Sequence, residues 1–308
     1  MTLKGNVRPR FSIVVPAYQA QSTLEETLDA ILAQTFGDWE CVVVDDGSTD
    51  ETLRIAARYA DRDPRIRAVH QDNKGTGGAY NAGVLSAIGD FVVICSADDI
   101  LLPEHLARMT AFIDSEQGFD IYSTNGYFWR PGVSQDLCYE SGQGERIHSL
   151  DLPDVIRRCF YSVGAAYRRE LFALVGGYRQ GVFGEDYDFW LRALASGARH
   201  RYLPEALSLH RVSATQKSAR LVTVYRSDIQ LVTDLRQGFR LTADADRAVD
   251  AAIRDREHLI LQLNRPWGLV RDVLRPAARQ ISFTILGRRR ARRLVRALRS
   301  WVGRPAPM

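Results

Sequence analysis

Four short apolar runs, each closed by a polar or Gly-rich cluster and separated from the next by a helical pattern, constrain this chain more than any other feature. They are FSIVVPAY (11–18), WECVVVDDGS (39–48), IRAVH (66–70) and FVVIC (91–95). Between them lie STLEETLDAILAQT, ETLRIAARYA and a helix led in by NKGTGGAYNAG. Runs this continuously apolar read as strands buried on both faces, and strands alternating with helices imply parallel βαβ units in an α/β fold. Ser22 to Glu25 reads as a capping box for the first helix, and Asp50 as the cap of the second.

Ligands on such sheets bind beyond the carboxyl ends of the strands. The chain's unusual polar residues sit at those ends: Asp45 and Asp46 after the second strand, Asn73 to Gly78 after the third, Ser96 to Asp99 after the fourth. From about 115 to 165 the pattern loosens into mixed Gly, Ser and aromatic residues, which predicts a loop-rich lobe whose aromatics could face an acceptor. Helical signals return in YRRELFALVGGY and GVFGEDYDFWLRALASG. ARHRYLPEALSLHR reads as a strand and turn, and 215–264 reads as helix throughout.

With 308 residues, 45% hydrophobic and 25% charged, the chain falls outside the disordered and fibrous classes and is long enough for a large α/β domain with helical additions. Cys41, Cys95, Cys138 and Cys159 are widely spaced with no CxxC pair, which argues against a zinc or redox motif, and Cys41 and Cys95, in strand-like runs, are expected to be buried thiols of a reducing cytoplasm. No apolar run approaches the ~18 residues of a membrane span, and MTLKGNVRPR lacks a signal-peptide pattern, so a soluble or peripheral cytoplasmic protein is expected.

Three acidic clusters carry the chemistry. Asp45-Asp46-Gly47-Ser48 offers carboxylates to ribose hydroxyls or a base amide, or an Asx turn to the next helix. A dinucleotide site is excluded, because the first strand ends in PAYQAQ rather than G-x-G-x-x-G, and no phosphate-binding G-x-x-x-x-G-K-[ST] loop exists. Ser96-Ala97-Asp98-Asp99 provides hard oxygen ligands suited to Mg²⁺ or Mn²⁺ on a diphosphate, or a helix cap. In Gly184-Glu185-Asp186-Tyr187-Asp188-Phe189-Trp190 the acids stand at a helix start, as a cap or as a general base. Glu185 raises the neighbouring Asp186 and the helix N-terminus lowers it, so sequence leaves the net shift unsigned.

In order and spacing, these motifs over residues 11 to about 215 resemble a family 2 glycosyltransferase of the inverting GT-A type. The resemblance implies an α/β nucleotide-binding domain with a mainly parallel sheet flanked by helices, and a helical C-terminal extension. It places Asp46, with Asp45 beside it, on the donor nucleotide, and puts Pro16, Tyr18, Asn73, Gly75 and Gly78 on the donor side. The D-x-D metal motif maps onto Ser96-Ala97-Asp98. Asp98 inherits the metal-diphosphate role with His210, and Asp99 and Ser96 neighbouring donor contacts. Glu185 and Asp186 match the catalytic pair, Asp186 being the base that takes a proton from the acceptor hydroxyl. The implied cofactor is a divalent metal, Mn or Mg, and the implied donor a nucleotide-sugar. The chain departs from the pattern twice: Ser96 stands where the motif has its first Asp, and Tyr80 where the N-x-G-x-x-x-A-R-N stretch has Arg.

Residues 1–215 therefore read as the GT-A domain, with a donor half at about 10–115 and an acceptor half at 116–215. A helical extension follows at 216–264 and a basic tail at 265–308. The tail holds twelve Arg and one Asp, a charge of +11, leaving −7 on the rest of a chain whose formal total is +4. Over 287–302 its apolar residues fill an arc of about 120° against a face of arginines, a basic amphipathic helix suited to anionic lipid. That fits a glycan or lipid-linked acceptor in cell-envelope or polysaccharide synthesis. Nucleic acid is disfavoured, because the acidic body would repel a polyanion. Two other readings stay open: a catalytically idle nucleotide-sugar-binding scaffold, motivated by Ser96 and Tyr80, and a sugar-phosphate nucleotidyltransferase, which lacks its Gly-rich basic loop here. Sequence does not assign the oligomeric state.

Overall fold

The computed structural model describes residues 8–129, 148–157, 163–212 and 220–263. The tail at 265–308, with the predicted amphipathic helix, and the aromatic segments at 139–147 and 158–162 lie outside the described residues.

The first half follows the apolar runs. Strands β1 (Phe11–Ala17), β2 (Trp39–Asp46), β3 (Ile66–Gln71) and β4 (Phe91–Ile94) are joined through helices α1 (Leu24–Leu32), α2 (Thr52–Arg62) and α3 (Gly75–Ser86). They lie parallel in the order β3-β2-β1-β4. The alternation of strand side chains divides the core. Ile13, Val15, Cys41, Val43 and Val93 pack under α1 and α2, whereas Val14 and Val92 pack with Tyr80 and Val84 of α3 on the opposite face. Both described cysteines, Cys41 and Cys95, are buried free thiols.

Beyond β4 the sheet turns mixed. β7 (Ala166–Arg168) runs antiparallel between β4 and β6 (Ile121–Trp129). β6 lies parallel to β8 (His200–Arg211), and the short β5 (Ile100–Leu101) closes the edge antiparallel to β8. The eight strands run β3-β2-β1-β4-β7-β6-β8-β5. Helix α4 (His105–Ser115) joins the first face, while α6 (Arg169–Val175) and α7 (Glu185–Ala195) join the second. Helices α5 (Leu152–Arg157), α8 (Leu221–Gly238) and α9 (Ala243–Leu263) form a third apolar cluster with Tyr187 and Leu191 of α7. No helix among the described residues is long and apolar enough to cross a membrane.

Two local readings need correction. The capping box does not form: α1 starts at Leu24 without a side-chain cap, because the chain turns at Ala20, whose carbonyl takes the Thr23 and Leu24 N–H groups. Asp50 does take up the start of α2, accepting the Thr52 N–H at 3.0 Å and the Thr52 hydroxyl. The segment read as loop after 115 contains the nine-residue β6 inside the sheet. Its alternation was hidden because buried Ser123, Thr124 and Asn125 are polar and the pairing with β8 shifts register on both sides of Asn125. The first shift accommodates Pro204 of β8, which cannot donate to the ladder.

Candidate active site

At the carboxyl ends of β1, β2 and β3, the register Asp45↔His70 and Asp46↔Gln71 sends the adjacent carboxylates to opposite faces. Asp46 is 4% exposed, and its Oδ1 accepts the Gln71 Nε2–H at 2.7 Å and the Lys74 backbone N–H at 2.8 Å. Asp45 is fully buried, with Oδ2 2.7 Å from His70 Nδ1 and Oδ1 accepting the Ser48 N–H at 3.4 Å. It anchors the turn beside Asp46.

Pro16 falls past the last β1–β4 pair, Val14↔Ile94, where its missing N–H costs no ladder bond on that side. Tyr18 stands out from the end of β1, 54% exposed. The next residue, Gln19, holds a left-handed φ of 51°, uncommon outside glycine, and is fixed by its N–H to Ser48 Oγ at 3.0 Å and its Nε2–H to Thr49 Oγ1 at 2.8 Å. Gly47 (φ 75°) brings the turn so close to the third loop that a Cβ would lie 2.8 Å from the Asn73 nitrogen. Asn73 accepts the Gly75 N–H at 3.1 Å and so shapes the first turn of α3, where Gly78 lies. Sequence reasoning missed Gln19, His70 and Gln71. Only the strand register brings the last two to the site.

The second and third acidic clusters meet in a cavity of about 120 Å³. Ser96, Asp99, Asp186 and His210 give it polar walls, and the rings of Tyr80, Tyr178 and Trp190 with Ile94, Val163 and Ala165 the rest. Asp98 and Glu185 stand next in sequence to this lining. Asp99 is 2% exposed, with Oδ1 3.0 Å from His210 Nδ1 and accepting the Arg211 N–H at 3.0 Å. Arg211 reaches back with Nε–H to the Asp98 carbonyl at 3.0 Å, stacks 4.2 Å from the Trp129 ring centre and pairs with Glu26 of α1. Arg211 is a further residue the sequence reading missed. Its neighbour in LSLHR was the only signal.

The Asp98 carboxyl is raised, by burial first and then by the charge of Asp99, against the pull of His210 and Arg211. Burial lowers His210, but the charges and hydrogen bonding of Asp99, with Asp98 and Asp186, outweigh it and the net shift is upward. Asp186 opens to solvent at the cavity rim, yet the protein around the cleft raises it, helped by Glu185 and Asp228 and opposed by the Tyr187 N–H at 2.8 Å. Desolvation therefore settles the direction that sequence left unsigned.

The helix carrying Asp186 is held firmly. Asp188, one turn in and 2% exposed, pairs with Arg179 and with Arg192 at 2.7 Å, and Arg192 also donates to the carbonyls of Val175 and Gly177. On the other side α3 approaches so closely that a Cβ on Gly77 would meet the Arg179 carbonyl oxygen at 2.7 Å.

Among the described residues no group of three or more His, Cys, Asp or Glu side chains converges to hold a metal ion by itself. Asp98 and Asp99 offer carboxylate oxygens and His210 an imidazole nitrogen, ligand types that suit a divalent ion.

The family model described as "Glycosyl transferase family 2" matches residues 12–175. Over 288 residues the chain is 28% identical to EpsE of Bacillus subtilis, covering 86% of this chain and 99% of EpsE. Residues 1–349 of S. aureus TarS, solved in complex with UDP-GlcNAc, superpose with a TM-score of 0.68 at 22% identity, over 89% of this chain and 81% of that one. The mannosyltransferase PcManGT of Pyrobaculum calidifontis, solved with GDP-Man and Mn²⁺, gives a TM-score of 0.61 at 21% identity, over 96% and 81%. The mixed sheet flanked by helices, with its helical C-terminal region, is the GT-A-type α/β fold that the motifs implied.

Proposed function

Because the chain belongs to glycosyl transferase family 2, we propose that it transfers a sugar from a nucleoside diphosphate sugar, with inversion, to a hydroxyl of a glycan or lipid-linked acceptor in envelope or polysaccharide synthesis. The carrying observation is the convergence of Asp99, Asp186 and His210 on one cavity, with Asp46 at the adjoining strand ends. The donor-bound neighbours, TarS with UDP-GlcNAc and PcManGT with GDP-Man, support a nucleotide-sugar as donor class.

Asp46 holds the nucleoside end, with Pro16, Tyr18, Asn73, Gly75 and Gly78 shaping the cleft around it. Asp98, Asp99 and His210 would hold a divalent Mn or Mg ion, whose charge when bound offsets that of the departing diphosphate. Asp186 accepts the acceptor's hydroxyl proton at a carboxylate oxygen, on the side opposite the leaving group. Its raised affinity for the proton, maintained by desolvation and Glu185, makes it a stronger base than a free aspartate. The domain limits proposed are 1–215 for the transferase, 216–264 for the helical extension and 265–308 for a tail that docks the enzyme on the cytoplasmic membrane face.

The test is calorimetric titration of UDP, GDP and dTDP with and without Mn²⁺, together with transfer assays of Asp186→Asn. One nucleotide binding in a Mn²⁺-dependent way, with Asp186→Asn keeping that affinity within a few fold while transfer falls by at least ~10², is expected. Near wild-type transfer by the variant removes Asp186 from its role, and no nucleotide binding removes the donor reading.

A further inference from the structure

The two positions where the sequence departs from the family motif face the same cavity. Tyr80 and Ser96 both line it, and Ser96 opposes the upward shift of the Tyr80 phenol. Where the motif puts an arginine and a carboxylate, this cavity has two neutral hydroxyls in its lining. Tyr80 is 7% exposed, its ring centre 4.7 Å from that of Tyr178, which stacks at 4.4 Å on Phe189, so it is a fixed wall rather than a mobile side chain. Burial and the charges of Asp186 and Glu185 keep its phenol protonated.

Ile94, Val163 and Ala165, also in the lining, carry no hydrogen-bonding side-chain atom. Among the remaining lining residues, Asp99, His210 and Asp186 are assigned above to the diphosphate, its ion and the acceptor proton; Tyr178, whose hydroxyl donates to that of Tyr167 at 3.3 Å, and Trp190 complete the lining. At about 120 Å³ the space is small beside the ~300–1,000 Å³ of pockets for drug-sized ligands, so it suits a single ring or part of one. A sugar hydroxyl pressed against Ile94, Val163 and Ala165 would be buried without a side-chain partner, which is costly, whereas a methyl group would fill the same wall favourably. The exocyclic carbon is the one part of a hexose that becomes a methyl on losing its hydroxyl.

We infer that Tyr80 and Ser96 form one neutral specificity element, and that the cavity they shape selects a donor whose sugar is a 6-deoxyhexose. This rests on the donor reading above and adds the sugar class to it. The discriminating experiment titrates the full chain, with Mn²⁺ present, with nucleoside diphosphate hexoses and their 6-deoxy counterparts. The ligands are matched in nucleotide (UDP, GDP, dTDP) and in configuration (gluco, galacto, manno). In the best-bound pair the 6-deoxy donor should bind at least ~10-fold more tightly, the scale on which an apolar pocket separates such close analogues. Equal or tighter binding of the hexose overturns the inference and leaves the donor reading standing; absence of binding in every pair overturns the donor reading and this inference with it.

A second arm restores the charged pair. Tyr80→Arg combined with Ser96→Asp should reduce the 6-deoxy preference at least ~10-fold while free nucleotide still binds. Retention of the full preference refutes the role of the pair. If that double variant no longer binds free nucleotide, Tyr80→Phe, which keeps the ring and removes only the hydroxyl, takes its place. It should widen the preference, and an unchanged ratio then counts against the pair.

Discussion

Lowering the pH should destabilise this fold through His200. The side chain is 7% exposed at the start of β8, and the Leu150 N–H donates to its Nδ1 at 3.1 Å. That bond fixes the proton on Nε2, which donates to Ser123 Oγ at 2.7 Å. The neutral ring is therefore fully used. A second proton would break the Leu150 bond and bury a charge, and desolvation, with the nearby His148 and Arg201, depresses the group from 6.5 to about 3. The unfolded chain takes up this proton below the ordinary histidine value while the folded chain does not. The stabilisation is complete above about pH 6.5 and is lost as the pH falls, by ~1.4 kcal/mol per unit, or ~2 kcal/mol by pH 5. Urea unfolding at pH 8 and pH 5, for the wild type and for His200→Asn, isolates this from other titrating groups. Asn keeps an acceptor for Leu150 but does not titrate. The variant should be less stable at pH 8 yet lose ~2 kcal/mol less than the wild type on going to pH 5. Equal losses in the two proteins would refute the assignment of a neutral, singly protonated His200.

Three further outcomes are expected. Gly77→Ala should cost ~1–3 kcal/mol in thermal or urea unfolding, because the new methyl meets the backbone oxygen of Arg179 at 2.7 Å and neither main chain yields easily; a neutral substitution would mean the contact between α3 and the Arg179 backbone is loose. Since Asp186 is raised and must be ionised to act, transfer should fall with decreasing pH around a midpoint above the ~3.9 of a free aspartate. A midpoint at or below that value contradicts the assignment. Liposomes containing anionic lipid should retain the full chain better than a chain ending at residue 264, and equal retention removes the membrane role of the tail.

Much of the donor half was legible in the sequence because its signals are local. A parallel strand covered on both faces is a continuous apolar run, and β1, β2 and β4 announce themselves that way; the polar clusters that follow them stand at the carboxyl ends of the strands, where ligands bind on such sheets. The second half was less legible for the opposite reason. β6 carries buried Ser123, Thr124 and Asn125, whose polarity is tolerated through partners such as His200, far away in sequence. Arg211, His70 and Gln71 reach the site through pairing register and ion-pair geometry, neither of which has a sequence period. The sign of the Asp186 shift was hidden too. The helix terminus and Glu185 oppose each other locally, and what decides is the desolvation by elements that assemble only in three dimensions.

These long-range partners also tie the helical extension to the chemistry. Arg179, whose carbonyl abuts α3, pairs through its guanidinium with Asp188 on the helix that carries Asp186 and at 3.3 Å with Asp234 of α8, so one residue links α3, α7 and the extension. Asp228 of α8 is paired with Arg256 of α9 at 3.2 Å, and its charge contributes to the upward shift of Asp186. Tyr187, directly after Asp186, donates to carbonyls of α5 and is buried against the α8–α9 cluster. Ala165 and Trp190, which line the cavity, also line a second small cavity together with Ser123 and His200. The extension is thus part of the apparatus that fixes where the Asp186 carboxylate sits and how tightly it holds a proton.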